Sequence, residues 1–157
     1  MLPILYRDEH LVAIAKPPGL LVHRTALDPH ETTNAVQELR RQLDVYVYPA
    51  HRLDRATSGV LLFALDPAIL VALGAAFETR AVEKRYLAVV RGWPPTAGTI
   101  DHPLPRLVDD ADPRTRVAAD APQPALTNYV RLATAELPIR VDRYPTTRYS
   151  LLAIEPL

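Results

Sequence analysis

The chain has 157 residues, of which 48% are hydrophobic and 23% are charged, and its formal net charge is zero. This apolar fraction excludes an intrinsically disordered protein, and the absence of cysteine excludes disulfides, thiolate metal sites and cysteine nucleophiles. No run approaches the ~20 apolar residues that a membrane helix needs, and the N-terminus lacks the features of a secretory signal. We therefore expect a single cytoplasmic domain with no membrane association.

Arginine accounts for 16 of the 18 basic residues, the exceptions being Lys16 and Lys84. The guanidinium group suits phosphates and bases because its planar fork donates two parallel hydrogen bonds. Genome composition can produce the same bias. Zero net charge argues against nucleic-acid binding by bulk electrostatics alone, so any such partner would be met by a local patch.

The first part of the chain has signals for two strands and a helix. Leu2–Tyr6 and Leu11–Ala15 are short apolar runs on either side of a polar turn. The second run ends at the sequence KPPG, because proline supplies no N–H to a strand ladder. Thr32 and Thr33 predict a helix N-cap, and the spacing of apolar residues predicts a helix over Asn34–Leu43.

The middle of the chain continues with strand and helix signals. Val45–Val47 is a short β-prone run, and Val60–Leu65 is an apolar run of strand length. Asp66 followed by proline is a favourable helix start, and this helix is expected to reach Arg80. Tyr86–Val90 predicts another strand, which ends at the sequence GWPP.

The last third of the chain begins with a segment of unusual composition, and the residues after it again have strand patterns. Thr96–Pro124 is rich in proline and aspartate and predicts short strand pieces joined by an exposed loop. Leu126–Leu137 and Tyr149–Ile154 predict strands. Together these elements indicate an α+β fold with a mixed, mainly antiparallel sheet and two flanking helices.

The segment HRLDRATSG, residues 51–59, is the most informative for chemistry. It places Asp54 between Arg52 and Arg55 in a polar loop that leads into an apolar strand. Two neighbouring cations favour the ionised carboxylate, which can act as a nucleophile, a general base or a metal ligand. A salt bridge within a surface loop is the simpler alternative, because such ion pairs are common.

The identity of these residues adds a family resemblance. The segment resembles the signature HRLDxxTSG of the RluA-type pseudouridine synthases, and further segments agree with that family in the right order. They are VAIAKPPG at 12–19, EKRYLAVVRG at 83–92, QPALTNYVRLATAE at 123–136 and RYPTTRY at 143–149. The last two are similar to the branch that isomerises the uridine at position sixty-five of tRNA. The resemblance extends from Ile4 to Glu155.

The resemblance implies roles for individual residues. Asp54 corresponds to the catalytic aspartate, Tyr86 to an active-site tyrosine placed against the uracil, and Arg52 to the arginine that fills the space of the extruded uridine. Candidate RNA contacts are Lys16, Arg55 and Arg85. Without the family, Tyr86 would be interpreted as a core or half-buried tyrosine. Lys16 is open to interpretation as an ordinary solvated turn residue, and the sequence KPPG favours a structural role in shaping the cleft wall.

The implied reaction breaks the N1–C1′ bond of uridine and rejoins the base through C5, so no cofactor is expected. Three first steps are open to the carboxylate: attack at C1′, attack at C6, or abstraction of the 2′ proton. A stacked uridine must first be flipped out, at a cost of a few kcal/mol. His23, His30 and His51 show no metal-ligand spacing, so we expect no metal site.

The resemblance also implies a pseudouridine synthase catalytic domain over residues 1–157, with a central cleft and without an S4-like N-terminal module. The family's later segment, of the type TGRxHQLR, has no match before Leu157, which implies a C-terminally incomplete domain. We expect that incompleteness to leave an uncovered strand edge and apolar surface near Leu151, Leu152 and Ile154. The expected partner is RNA, specifically tRNA, with no obligate protein partner.

Two alternatives to an active synthase follow from the same residues. A truncated, inactive RNA-binding remnant of the family would keep Arg52 and a basic cleft. A glycoside hydrolase or lyase would need a second carboxylate near Asp54. Glu78, Glu83 and Glu155 are formally available for that role, but none lies in a recognisable partner motif.

Overall fold

The computed structural model describes residues 1–23, 33–105 and 122–157. These residues pack as two compact units, the first ending at Ala81 and the second beginning at Val82. The residues that carry the HRLD motif belong to the first unit, and Tyr86 belongs to the second. Each unit is built on its own antiparallel sheet.

The sheet of the first unit contains four strands in the order β1-β2-β4-β3. They are β1 (Ile4–Arg7), β2 (Leu11–Lys16), β3 (Tyr48–Pro49) and β4 (Gly59–Ala64). The central pair is registered from Leu11 opposite Ala64 to Lys16 opposite Gly59. Val12, Ile14, Leu61 and Phe63 are fully buried. This core fixes the end of β2 and the start of β4, so Lys16 and Gly59 lie side by side where the loop that carries Asp54 (residues 50–58) enters β4.

Helix α1 (Ala35–Leu43) packs in the first unit with Ala35, Val36 and Leu39 buried. Its N-cap is Asn34, whose Oδ1 accepts a hydrogen bond of 3.0 Å from the Gln37 amide. The predicted cap at Thr33 is therefore wrong by one position, and Thr32 lies outside the described residues. Asparagine and threonine are both good caps, and local sequence did not distinguish them.

Helix α2 (Pro67–Glu78) begins as predicted, with Asp66 as N-cap and proline in the first turn. It ends before Arg80, which has a left-handed backbone with φ of 58°. The predicted β-prone run at Val45–Val47 is not a strand, since β3 begins one residue later. No helix among the described residues has the length and hydrophobicity of a bilayer-crossing segment.

The sheet of the second unit also contains four strands, in the order β5-β8-β7-β6. They are β5 (Tyr86–Arg91), β6 (Ala97–Asp101), β7 (Leu126–Leu137) and β8 (Thr147–Pro156). A further isolated bridge joins Leu104 to Gln123. Most of the predicted proline-rich loop, residues 106–121, lies outside the described residues.

The position of β8 corrects one expectation from the sequence. β8 pairs with β5 on one side and with β7 on the other, so it is an interior strand and not an uncovered edge. Leu152 is buried for the same reason. The most exposed large apolar side chains of this sheet are instead Leu87 and Val89 on the edge strand β5, which are 70% and 71% exposed.

The architecture confirms the predicted α+β class with its antiparallel pairing. Every strand pair formed by the described residues is antiparallel, and the two described helices both lie in the first unit. The strands are divided between two sheets, whereas the sequence pattern predicted a single mixed sheet.

Candidate active site

The Asp54 loop connects β3 to β4 and alternates between exposed and buried side chains. Leu53 is buried and anchors the loop to the core, whereas Arg52 and Asp54 on either side of it are exposed. The Thr57 amide donates to the Asp54 carbonyl at 3.0 Å, which closes a tight turn. The carboxylate of Asp54 is thus exposed to solvent at the beginning of a defined turn.

Lys16, at the end of β2, binds the backbone of this loop through a buried side chain. Its side chain is almost completely buried, with 1% of the residue exposed. Its Nζ donates to three backbone carbonyl oxygens: Leu20 at 2.7 Å, Pro17 at 3.0 Å and Arg55 at 3.2 Å. An ammonium group has three N–H donors, and all three are used here. This geometry favours a structural role for Lys16 over the expected RNA contact.

A second connection joins the KPPG turn to the same loop. The Gly19 amide donates to the Arg55 carbonyl at 2.8 Å, and Arg55 Nε donates back to the Gly19 carbonyl at 3.1 Å. Gly19 has a φ of 84°, a conformation that glycine adopts at little cost. The residue after Asp54 is therefore fixed to the KPPG turn through both its backbone and its side chain.

Electrostatics in this cluster link Lys16 to Asp54. Burial lowers the pKa of Lys16, and the nearby negative charge of Asp54 acts in the opposite direction. The sequence led us to expect that the flanking arginines hold the carboxylate. In the structure the Lys16 ammonium lies near enough to Asp54 to interact with its charge, and Arg55 Nε donates to the Gly19 carbonyl oxygen.

His51 terminates the strand pair from which the loop departs. The Ala50 amide donates to the Leu62 carbonyl at 2.9 Å, and the Leu62 amide donates to His51 Nε2 at 3.2 Å. In a regular antiparallel pair the Leu62 amide would donate to the Ala50 carbonyl, and here the His51 imidazole accepts that hydrogen bond instead. Its ring also packs on Phe77 of α2, with the ring centroids 4.9 Å apart. Burial lowers the pKa of His51, which favours the neutral ring that can accept this bond.

Tyr86 and Arg85 lie in the second unit. Tyr86 is half-buried as the first residue of β5, opposite Ile154 of β8. Arg85 is exposed, and its guanidinium approaches Glu155 at 3.3 Å and Glu83 at 3.7 Å. The Arg85 guanidinium therefore forms ion pairs with both carboxylates.

The structure thus brings Lys16, Asp54 and Arg55 together in one loop cluster and leaves Arg52 exposed beside them. Within residues 1–23, 33–105 and 122–157, no group of three potential metal-ligating side chains lies close enough to hold an ion. His30, one of the histidines considered, lies outside these ranges. Sequence reasoning missed the structural part played by His51, whose only signal was its place as the first residue of the motif HRLDRATSG.

Comparison with known proteins gives the family. The family described as "RNA pseudouridylate synthase" matches residues 10–157. The tRNA pseudouridine synthase C of Pasteurella multocida (strain Pm70) is 50% identical over 155 residues, which is 99% of this chain and 64% of that relative. The protein of the same name from Pectobacterium carotovorum subsp. carotovorum is 48% identical, again over 99% of this chain and 42% of its own length.

Solved structures agree with the sequence relatives. Human RNA Pseudouridylate Synthase Domain Containing 1 superposes with a TM-score of 0.73 at 25% identity, covering 99% of this chain and 59% of that one. Human RNA Pseudouridylate Synthase Domain Containing 4 gives a TM-score of 0.70 at 26% identity, over 98% and 58%. The chain spans about two fifths to two thirds of the length of the proteins it matches. The signature around Asp54, the α+β architecture and these matches together establish that the chain belongs to the RNA pseudouridylate synthase family.

Proposed function

We propose that this chain isomerises a uridine of tRNA to pseudouridine, with Asp54 as the catalytic residue. The relatives that cover its sequence are named tRNA pseudouridine synthase C, which supports tRNA as the substrate class. The sequence resemblance to the branch that acts on position sixty-five makes that uridine the first candidate. The cytoplasm, where tRNA is available, is the compartment we expect for the reaction.

One observation carries the assignment of Asp54. Its side chain is exposed, but the backbone on which it stands is fixed by the Lys16 ammonium, the Gly19 amide and the turn to Thr57. A reacting group must be presented to the substrate without an ordering cost at the moment of reaction. An exposed carboxylate on an immobilised turn meets that requirement better than a residue of a mobile surface loop.

The reaction is an isomerisation, and its atoms balance without a cofactor. The N1–C1′ bond breaks, a C1′–C5 bond forms, and the hydrogen on C5 is lost while N1 gains one. The carboxylate of Asp54 starts the cleavage, and the detached uracil rotates before C5 is joined to the sugar. The product has the same mass as the substrate.

The other predicted residues have roles that follow from the family resemblance. Arg52 is exposed next to Asp54 and is proposed to occupy the space of the flipped nucleotide, which offsets part of the cost of unstacking. Tyr86 is proposed to take part in proton transfer at the uracil. Arg55 and Arg85 are proposed to contact phosphate, although Arg85 must first exchange its carboxylate partners for that contact.

The test is pseudouridine formation in an unmodified tRNA transcript by the 157-residue chain, with Asp54→Asn as its matched variant. Asparagine keeps the size and the exposed position of the side chain but cannot act as a carboxylate. We expect turnover by the natural chain and none by Asp54→Asn, with unchanged tRNA affinity. Equal turnover by both chains would overturn the role of Asp54.

The second candidate function is RNA binding without catalysis. An RNA-binding chain of this kind would still present the exposed Arg52 side chain. The same assay separates the two, because a remnant binds tRNA with a defined affinity but forms no pseudouridine at any enzyme concentration. A free sugar product would instead indicate a glycoside hydrolase.

A further inference from the structure

Strand β5 lies at an edge of the second unit's sheet and has one unpaired side. The Gly92 amide donates to the Arg148 carbonyl at 2.8 Å, and these two residues continue the register of β5 with β8. In an antiparallel pair, hydrogen-bonded and non-hydrogen-bonded positions alternate. The backbone groups of Leu87, Val89 and Arg91 therefore point away from β8, and within the described residues they make no hydrogen bond to another segment.

The side chains of the same three residues are exposed on one face of this edge. Leu87 and Val89 are apolar, and Arg91 lies beside them. Strand edges are commonly protected from association by proline, by a bulge or by cover from another element. β5 contains no proline, and its register with β8 has no irregularity. This edge therefore has the properties of a template for pairing with a further strand.

The extended conformation of β5 continues into the residues before it. Exposed and half-buried residues alternate without a break from Glu83 to Arg91, which is the period of a strand. Arg85 Nε lies 3.3 Å from Glu155 Oε1, as expected if the register with β8 extends by one residue. Glu83 and Arg85 therefore lie on the same face as Leu87 and the exposed residues after it.

We infer that the free edge of β5 binds the same edge of a second copy of this chain. The two strands run antiparallel, with Leu87 of each copy directly opposite Leu87 of the other at the two-fold axis. In this register Glu83 of each copy faces Arg91 of the other, and Arg85 and Val89 exchange backbone hydrogen bonds between the copies. The two four-stranded sheets then form one continuous antiparallel sheet.

Charge favours this register over its neighbours. A shift of two residues in one direction places Arg85 opposite Arg91 of the other copy, and like charges directly opposite each other are destabilising. The same shift in the other direction places Glu83 opposite Val89 and Arg91 opposite Ala81, so that neither charge is paired. A shift of one residue brings the outward backbone groups of one copy against groups that already bind β8 in the other. The inference concerns a separate surface and does not depend on the proposed function.

Sedimentation equilibrium of the 157-residue chain, from micromolar to submillimolar concentration, measures the dimer Kd. Glu83→Arg and Arg91→Glu each replace the attractive pairs of the dimer by repulsive ones, so each variant alone should raise this Kd about tenfold. A mixture of the two variants should form a heterodimer with the Kd of the natural chain, because every pair across it again joins opposite charges. Arg41→Glu is the control, since Arg41 is an exposed arginine of the first unit, and it should leave the Kd unchanged.

Val89→Pro tests the backbone pairing directly. The Val89 N–H points away from β8, so proline removes no hydrogen bond within one copy but removes donors from the interface. We expect this variant to be monomeric, with the circular dichroism spectrum and urea midpoint of the natural chain.

Three results would overturn the proposal. The first is a natural chain that stays monomeric at submillimolar concentration. The second is a dimer whose Kd is the same in both charge variants, which would show that another surface joins the copies. The third is a dimer that the single variants weaken but their mixture does not restore. The mixture decides the question even if Val89→Pro does not fold, because both charge changes lie at exposed positions.

Discussion

Lys16 Nζ donates a hydrogen bond of 3.2 Å to the carbonyl oxygen of Arg55, a residue 39 positions further along the chain and directly after Asp54. The same ammonium also binds the carbonyl of Pro17 in the KPPG turn and that of Leu20 directly after it. One buried charge therefore joins two loops that leave adjacent strands. This relationship favours a structural role for Lys16, in which it supports the loop that carries Asp54.

Replacement of Lys16 by methionine tests that assignment. Methionine keeps an unbranched side chain but removes the donor from three carbonyl oxygens, so the free energy of unfolding should fall by about 2 kcal/mol. Urea denaturation followed by circular dichroism measures the loss. Lys84→Met is the control, because Lys84 is half-buried and makes no side-chain hydrogen bond within the described residues. Unchanged stability together with weaker tRNA binding by Lys16→Met would restore Lys16 as an RNA contact.

His51 predicts how stability depends on pH. Burial lowers its pKa in the folded chain below the ordinary value of 6.5, so the unfolded chain binds the proton more readily. The contribution of neutral His51 to the free energy of unfolding is therefore fully present above about pH 6.5. It is lost as the pH falls through the pKa of the folded chain, by at most about 1.4 kcal/mol per pH unit.

His51→Gln should flatten this decline, because glutamine keeps an acceptor but does not titrate. Urea denaturation at pH 7, 6 and 5 measures the difference between the two chains. His102→Gln is the control, since His102 is exposed. A pH profile for His51→Gln that is parallel to that of the natural chain would contradict the prediction.

Tyr86→Phe separates the hydroxyl of this residue from its ring. If the phenol transfers a proton during the reaction, its loss should lower kcat by about 100-fold while stability and tRNA affinity stay unchanged. Tyr129→Phe is a closely matched control, because Tyr129 is also half-buried and, like Tyr86, is paired with Ile154 in the same sheet. Equal rates for Tyr86→Phe and the natural chain would remove Tyr86 from the chemistry.

Strong local signals predicted most of the elements. Asp66 followed by proline marked the start of α2, and the limits of β7 at Leu126 and Leu137 were predicted residue for residue. Local signals failed where two candidates were equivalent, as with Thr33 and Asn34 at the start of α1. They predicted the strand at Tyr149–Ile154, which lies within β8, but not its interior position, because pairing on both sides of a strand depends on distant segments.

The sequence by itself determined the family and the identity of the candidate catalytic residue. Nine consecutive residues around Asp54 carry that information, because the chemistry requires particular side chains at fixed spacing. Only the tertiary structure decided the surroundings of those residues: that the Lys16 ammonium is buried against the Arg55 carbonyl, and that His51 ends a strand ladder. Burial and hydrogen-bond partners are set by residues far apart in the chain, and a linear pattern does not contain them.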